Sequence, residues 1–128
     1  MKLKLATLLD PQFTASFNKL CQQSLSLVDS LRLARAGRDI NRETETFNAA
    51  RLAFFKANGA EHDGNWTLDP QKPGLLEAYN SQLTEVLAMP IELPIPVPIK
   101  LPPECRLTAL DLLPILDLLD QEESRVNS

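Results

Sequence analysis

The sequence predicts an α+β protein, mostly helical, with a long central helix in an αα-hairpin and a small antiparallel or mixed sheet pairing an N-terminal strand with a proline-rich edge strand. Two stretches are the basis for this. Residues 91–101 read IELPIPVPIKL, with an aliphatic side chain at every odd position. In an extended chain, alternate side chains share a face, so Ile91, Leu93, Ile95, Val97, Ile99 and Leu101 form one apolar row. Pro94, Pro96 and Pro98 lack an N–H and blunt one edge of that strand, which discourages further strand addition. The second stretch lies between Ser26, a helix-capping residue, and Gly59. It carries Leu33, Ile40, Phe47 and Phe54 at intervals of seven, with Ala36, Ala50 and Ala57 three residues after the first, third and fourth. That is a narrow helical seam, on a helix roughly 48 Å long at 1.5 Å per residue.

The elements follow in order. Lys2 to Leu9 alternates imperfectly and is the natural partner of 91–101. Asp10-Pro11 supplies an N-cap and a first-turn proline for a helix reaching Gln22 or Gln23, with Phe13, Phe17 and Leu20 facing the core. The long helix comes next. Its seam is expected to pack on Leu76, Tyr79, Leu83 and Leu87 of the following helix; a fully packed Phe47 would then cost about 3–5 kcal/mol on truncation to alanine. Self-association through the seam is the alternative.

Residues 59–74 are rich in turn chemistry, and Asp63-Gly64 is a tight-turn pair. Asp69-Pro70 or Pro73 opens the third helix, and Pro90 stops it. After the proline-studded strand, Thr108 with Asp111 reads as a capped helix start, and Leu107 with Leu112 as its hydrophobic staple. Pro114 kinks or restarts that helix. Residues 1–119 are therefore expected to form one domain, and 120–128 a mobile acidic tail with too little apolar content to pack.

Composition narrows the function classes. No apolar run approaches the roughly 18 residues of a membrane span. Asp10 and Pro11 interrupt the N-terminal apolar stretch before a signal-peptide core forms. Cys21 and Cys105 match no metal-ligand spacing and are expected to be reduced thiols in a cytoplasm. His62, the single histidine, sits between two acids in a turn, where ligands rarely converge, and reads as a solvated loop residue. Cys105 lies beside Arg106, which favours the thiolate, and Glu104, which opposes it. Asp111, Asp117 and Asp120 are spaced as a solvated face rather than as an oxygen cage for a cation. With no nucleophile motif and no glycine-rich phosphate loop, we expect no catalytic, cofactor-binding or metal site and no enzyme.

Charge is uneven along the chain. Residues 1–58 hold nine basic against five acidic residues, and the remainder four against twelve, giving +4 and −8. Arg35, Arg38 and Arg42, with Arg32 at the margin, form a basic stripe opposite the Leu33/Ile40/Phe47 seam. They are the candidate partner-binding residues, more suited to an acidic protein surface than to nucleic acid.

The opening MKLKLATLL, the helical stretch LRLARAGRDINRETETFNAARLAFF, the IELPIPVPIKL segment and the closing LTALDLLPIL together resemble an uncharacterised family of small proteins encoded by tailed phages and prophages. The three prolines of the strand and Pro114 depart from the usual pattern. Because that family has no established activity, the resemblance implies a phage setting and lends no catalytic residue. The expectation is a non-catalytic structural or assembly component in the host cytoplasm or the phage particle. It would act on a phage or host protein, or on further copies of itself, with no membrane and no direct nucleic-acid contact. The alternative is an early effector that inhibits a host enzyme or defence protein through an acidic surface.

Overall fold

The computed structural model describes residues 1–69 and 71–119, with the side chain of His62 outside the description. The expected tail, 120–128, therefore lies outside the described residues. The described residues form an α+β, mostly helical fold. A short strand β1 (Lys2–Lys4) leads into α1 (Leu5–Leu9) and α2 (Pro11–Cys21), then the 32-residue α3 (Leu27–Asn58). A hairpin of β2 (Gly59–His62) and β3 (Asn65–Leu68) precedes α4 (Leu75–Leu87) and β4 (Pro90–Glu92). The chain ends its described course in α5 (Ala109–Leu112) and a 3₁₀ turn over Leu113–Leu118.

The N-terminal strand is shorter than its alternation predicts. Leu5 and Leu8 are buried three residues apart, a helical rather than an extended interval, and the Leu5 amide donates to Met89 O at 2.9 Å to start α1. The register limits the proline-rich strand. β4 pairs antiparallel with β1, with Leu3 opposite Ile91 and Lys4 opposite Pro90, and regular pairing stops at Glu92, opposite Lys2. From there the donors that the prolines leave are spent singly. Leu93 N–H reaches Met1 O at 2.8 Å, Ile95 N–H turns back to Leu93 O at 2.8 Å, and Ile99 N–H reaches Leu118 O at 2.7 Å. The apolar row still points inward at Leu93, Ile95 and Ile99, all buried, while Val97 is half exposed.

Capping chemistry agrees with the sequence at three helices. Asp10 Oδ1 accepts from Gln12 N–H at 2.9 Å, Ser26 Oγ from Asp29 N–H at 3.1 Å, and Thr108 forms a reciprocal capping box with Asp111. Pro114 ends α5 after one turn, and the chain tightens into 3₁₀ geometry that buries Ile115 and Leu118. Two starts and stops differ. Gly59 is extended, at φ −144° and ψ −164°, and opens β2 instead of closing α3 in a left-handed turn. The third helix begins at Leu75 behind Gly74, whose φ is 81°; Asp69 instead accepts from Gln71 N–H at 2.9 Å.

The seam of α3 divides between two sets of partners. Leu33, Ala36 and Ile40 are buried in a core with Leu8, Phe13, Phe17, Leu20, Leu93, Ile95, Ile99, Ile115 and Leu118. Phe47 and Phe54 lie outside that core and meet α4, which runs back along the outer half of α3. Length explains the split. At 1.5 Å per residue the 13-residue α4 covers about 20 Å of a helix about 48 Å long. Leu76, an expected seam partner, is 61% exposed.

The Asp111 carboxylate ties this core together at its edge. It receives Lys19 Nζ at 2.8 Å from α2 while also accepting the Thr108 N–H at 3.1 Å. These bonds, the lysine's first, hold its pKa below the ordinary carboxylate range. The folded-state pKa lies under the unfolded one, so this contribution is complete above about pH 4 and is lost as pH falls through the folded value. Acid titration of unfolding is expected to be shallower in Asp111→Asn than in the parent below about pH 4; identical slopes would count against the linkage.

Candidate functional site

Hydrophobic side chains drive folding by leaving water, so a segment rich in them that buries none is unusual. Between Asn41 and Glu92 no described side chain is buried, although this stretch holds five of the seven aromatic residues. Phe47, Phe54 and Phe55 come from α3, Trp66 from β3 and Tyr79 from α4. The outer half of the molecule is a three-sided aromatic assembly without an interior.

Local sequence builds it. Asp63 and Gly64 both take positive φ, 52° and 82°, giving the mirror-image tight turn that joins β2 to β3. The hairpin register sets Glu61 opposite Trp66 and Gly59 opposite Leu68. Trp66 is thereby brought beside Lys56 of α3, whose Nζ stands 6.0 Å from the indole centroid. From the other side, Tyr79 wedges between Phe54 and Phe55 with ring centroids 5.4 and 5.1 Å away. Its hydroxyl accepts from Arg51 Nε at 3.0 Å, and the Arg51 guanidinium lies 5.5 Å from the Phe55 centroid.

These contacts leave an open groove of about 600 Å³ between the hairpin and the start of α4. Phe55, Trp66, Leu68, Pro73, Leu76 and Tyr79 supply its apolar wall, and Asp69, Lys72 and Glu77 its polar rim. The chemistry it offers is a largely apolar receptor with charges of both signs at the edge, the profile of a contact surface. A smaller cleft of about 110 Å³ follows the α3–α4 line past Phe47, Phe54, Leu83 and Val86.

The chain matches no family model, and no curated protein and no solved structure is similar to it at a significant level.

The candidates read from sequence fall elsewhere. Arg32 is half-buried and holds Asp29 at 3.5 Å, and Arg42 reaches Asp39 at 3.9 Å. Arg35 and Arg38 are exposed, and neither forms an ion pair among the described residues. The stripe thus keeps two free guanidinium groups of four. His62 ends β2 opposite Asn65. Cys21 and Cys105 are free thiols; partial desolvation pushes the Cys21 thiol above its ordinary range, which reduces its nucleophilic form. Among the described residues, no three His, Cys, Asp or Glu side chains converge as a metal set, and no helix is long and apolar enough to cross a membrane.

Sequence reasoning missed the aromatic groove. Its signal was present in the alternation of Trp66 and Leu68 after an Asp-Gly turn, which is a hairpin pattern. Turn chemistry over 59–74 does not by itself bring Trp66 to Phe55 and Tyr79.

Proposed function

We propose that this protein is a non-catalytic structural or assembly component of a tailed-phage particle that docks on a larger protein through its outer half. The observation that carries the reading is the aromatic assembly in which no described side chain between Asn41 and Glu92 is buried. Its groove gives a partner's apolar side chains a place to complete the burial that the chain leaves unfinished. The phage setting rests on the sequence resemblance.

Mass spectrometry of purified particles is expected to find the chain, and Leu76→Asp is expected to remove it from them. Leu76 is 61% exposed, so a charge there leaves the fold intact, as circular dichroism can verify, while placing an unpaired carboxylate in the groove. Particles that lack the wild-type chain would sink the reading. The eight-unit acidic excess of residues 59–128 supports the second reading, an early effector that competes for a basic cleft of a host enzyme or defence protein. That reading gains if the chain is absent from particles and co-purifies with a host protein in a salt-sensitive complex.

A further inference from the structure

The side of α3 turned away from the core carries a second pattern with the same seven-residue period as the buried seam. Leu31, Arg38, Glu45 and Leu52 follow one another at intervals of seven, drifting about 20° per step on a straight helix. Ala34 and Ala49 lie within the same arc of about 60°. All six are exposed, Leu31 and Leu52 at 49% and 42%. Neither Arg38 nor Glu45 forms an ion pair with its own chain among the described residues.

The order of these residues is a palindrome in chemistry. About a point midway between Asn41 and Arg42, Leu31 mirrors Leu52, Ala34 mirrors Ala49, and Arg38 mirrors Glu45 with opposite charge. We propose that this face binds a second copy of the chain, α3 against α3 in antiparallel register, around a two-fold axis at that point. A two-fold contact requires that residue i meet j while j meets i, and this stripe meets that condition at every position named. Two Arg38–Glu45 pairs then form, one on either side of the axis. The alanines allow the helices to approach closely between them, and the leucines cover each end.

A parallel pairing of the same face places Arg38 on Arg38 and Glu45 on Glu45, so like charges oppose it. Near the axis the two Arg42 side chains approach, and each is already held by Asp39 of its own chain at 3.9 Å. The free guanidinium of Arg38 thus finds its acid on an identical molecule. Leu52, at one end of the stripe, borders Phe55 and Trp66, but none of the six stripe residues lines the aromatic groove, and the contact stands independently of the function proposed above.

Sedimentation equilibrium of the wild type, R38E, E45R, the double variant R38E/E45R and an equimolar mixture of the two single variants tests it. The wild type is expected to form a dimer, and each single variant to weaken it by at least about tenfold, because both copies of the pair become like-charged. The double variant is expected to recover the dimer by exchanging the charges. The mixture is expected to dimerise as well, as a heterodimer with an oppositely charged pair at both positions. All the substituted residues are exposed, and circular dichroism establishes that each variant folds. A wild type that stays monomeric to about 1 mM, single variants that dimerise as tightly as the wild type, or a mixture no tighter than its components would each overturn the proposal.

Discussion

Phe13→Ala is expected to lower the unfolding free energy by about 3–5 kcal/mol, measured by urea denaturation. Phe13 is 1% exposed, stacks on Phe17 with centroids 6.1 Å apart and lies in the core that joins α1, α2, α3 and the closing 3₁₀ turn. Gly37 lets α2 approach α3 there, since a methyl group in its place would meet the Phe17 ring at 3.3 Å. A domain of this size holds only about 5–15 kcal/mol in all. Phe47→Ala, which the heptad seam marks as equally costly, is expected to lose about 1 kcal/mol, because its ring is only half-buried in an open cleft. Equal losses at the two positions would mean that the outer half is packed as tightly as the core.

That contrast shows what the sequence could and could not yield. The cap at Ser26, the length of α3, the Asp10-Pro11 start, the capping box at Thr108 and the inward row at Leu93, Ile95 and Ile99 are local patterns, and local patterns survive folding. The division of the α3 seam is a different kind of fact. Leu33 and Phe54 look alike along the helix, and only the reach of α4 and the placement of Phe13 and Leu20 decide which is buried. The strand at 91–101 failed for a related reason, since the register sets Lys4 opposite Pro90 and Lys2 opposite Glu92 and so leaves most of the proline-rich stretch beyond the reach of β1. The aromatic groove joins residues from three elements around an unanticipated hairpin, so no single stretch of sequence displays it.

Gly59→Ala is the second substitution with a large expected effect, and it acts on the outer half alone. A β-carbon at Gly59 would overlap the carbonyl oxygen of Thr67 and lie 2.8 Å from the carbonyl carbon of Thr67 and 2.9 Å from the carbonyl oxygen of Phe55. These obstacles are backbone and cannot swing aside, so relief requires β2 to separate from β3 or from the end of α3. The cost is expected at the upper end of overpacking, about 3 kcal/mol. Hydrogen exchange should show it as lost protection from Asn65 to Leu68, with a shift in Trp66 fluorescence, while the amides around Leu20 and Leu33 stay protected. Gly64→Ala has open space around it and is expected to cost about 1–2 kcal/mol through its left-handed backbone instead. Unchanged protection in the Gly59 variant would show that the hairpin tolerates displacement from the helix.

The pairing of Leu3 with Ile91 has a consequence for how the molecule is made. The two residues are separated by about two-thirds of the chain, whereas the contacts within α3 are local. On a ribosome adding about 5–20 residues per second, β1 waits roughly 4–18 s for its partner to be synthesised. During that interval Leu3, Leu5 and Leu8 have no sheet to cover them, and the early-formed helix is the apolar surface nearest to hand. The sheet can close only after β4 emerges, and the core is completed later still, when Ile99, Ile115 and Leu118 arrive.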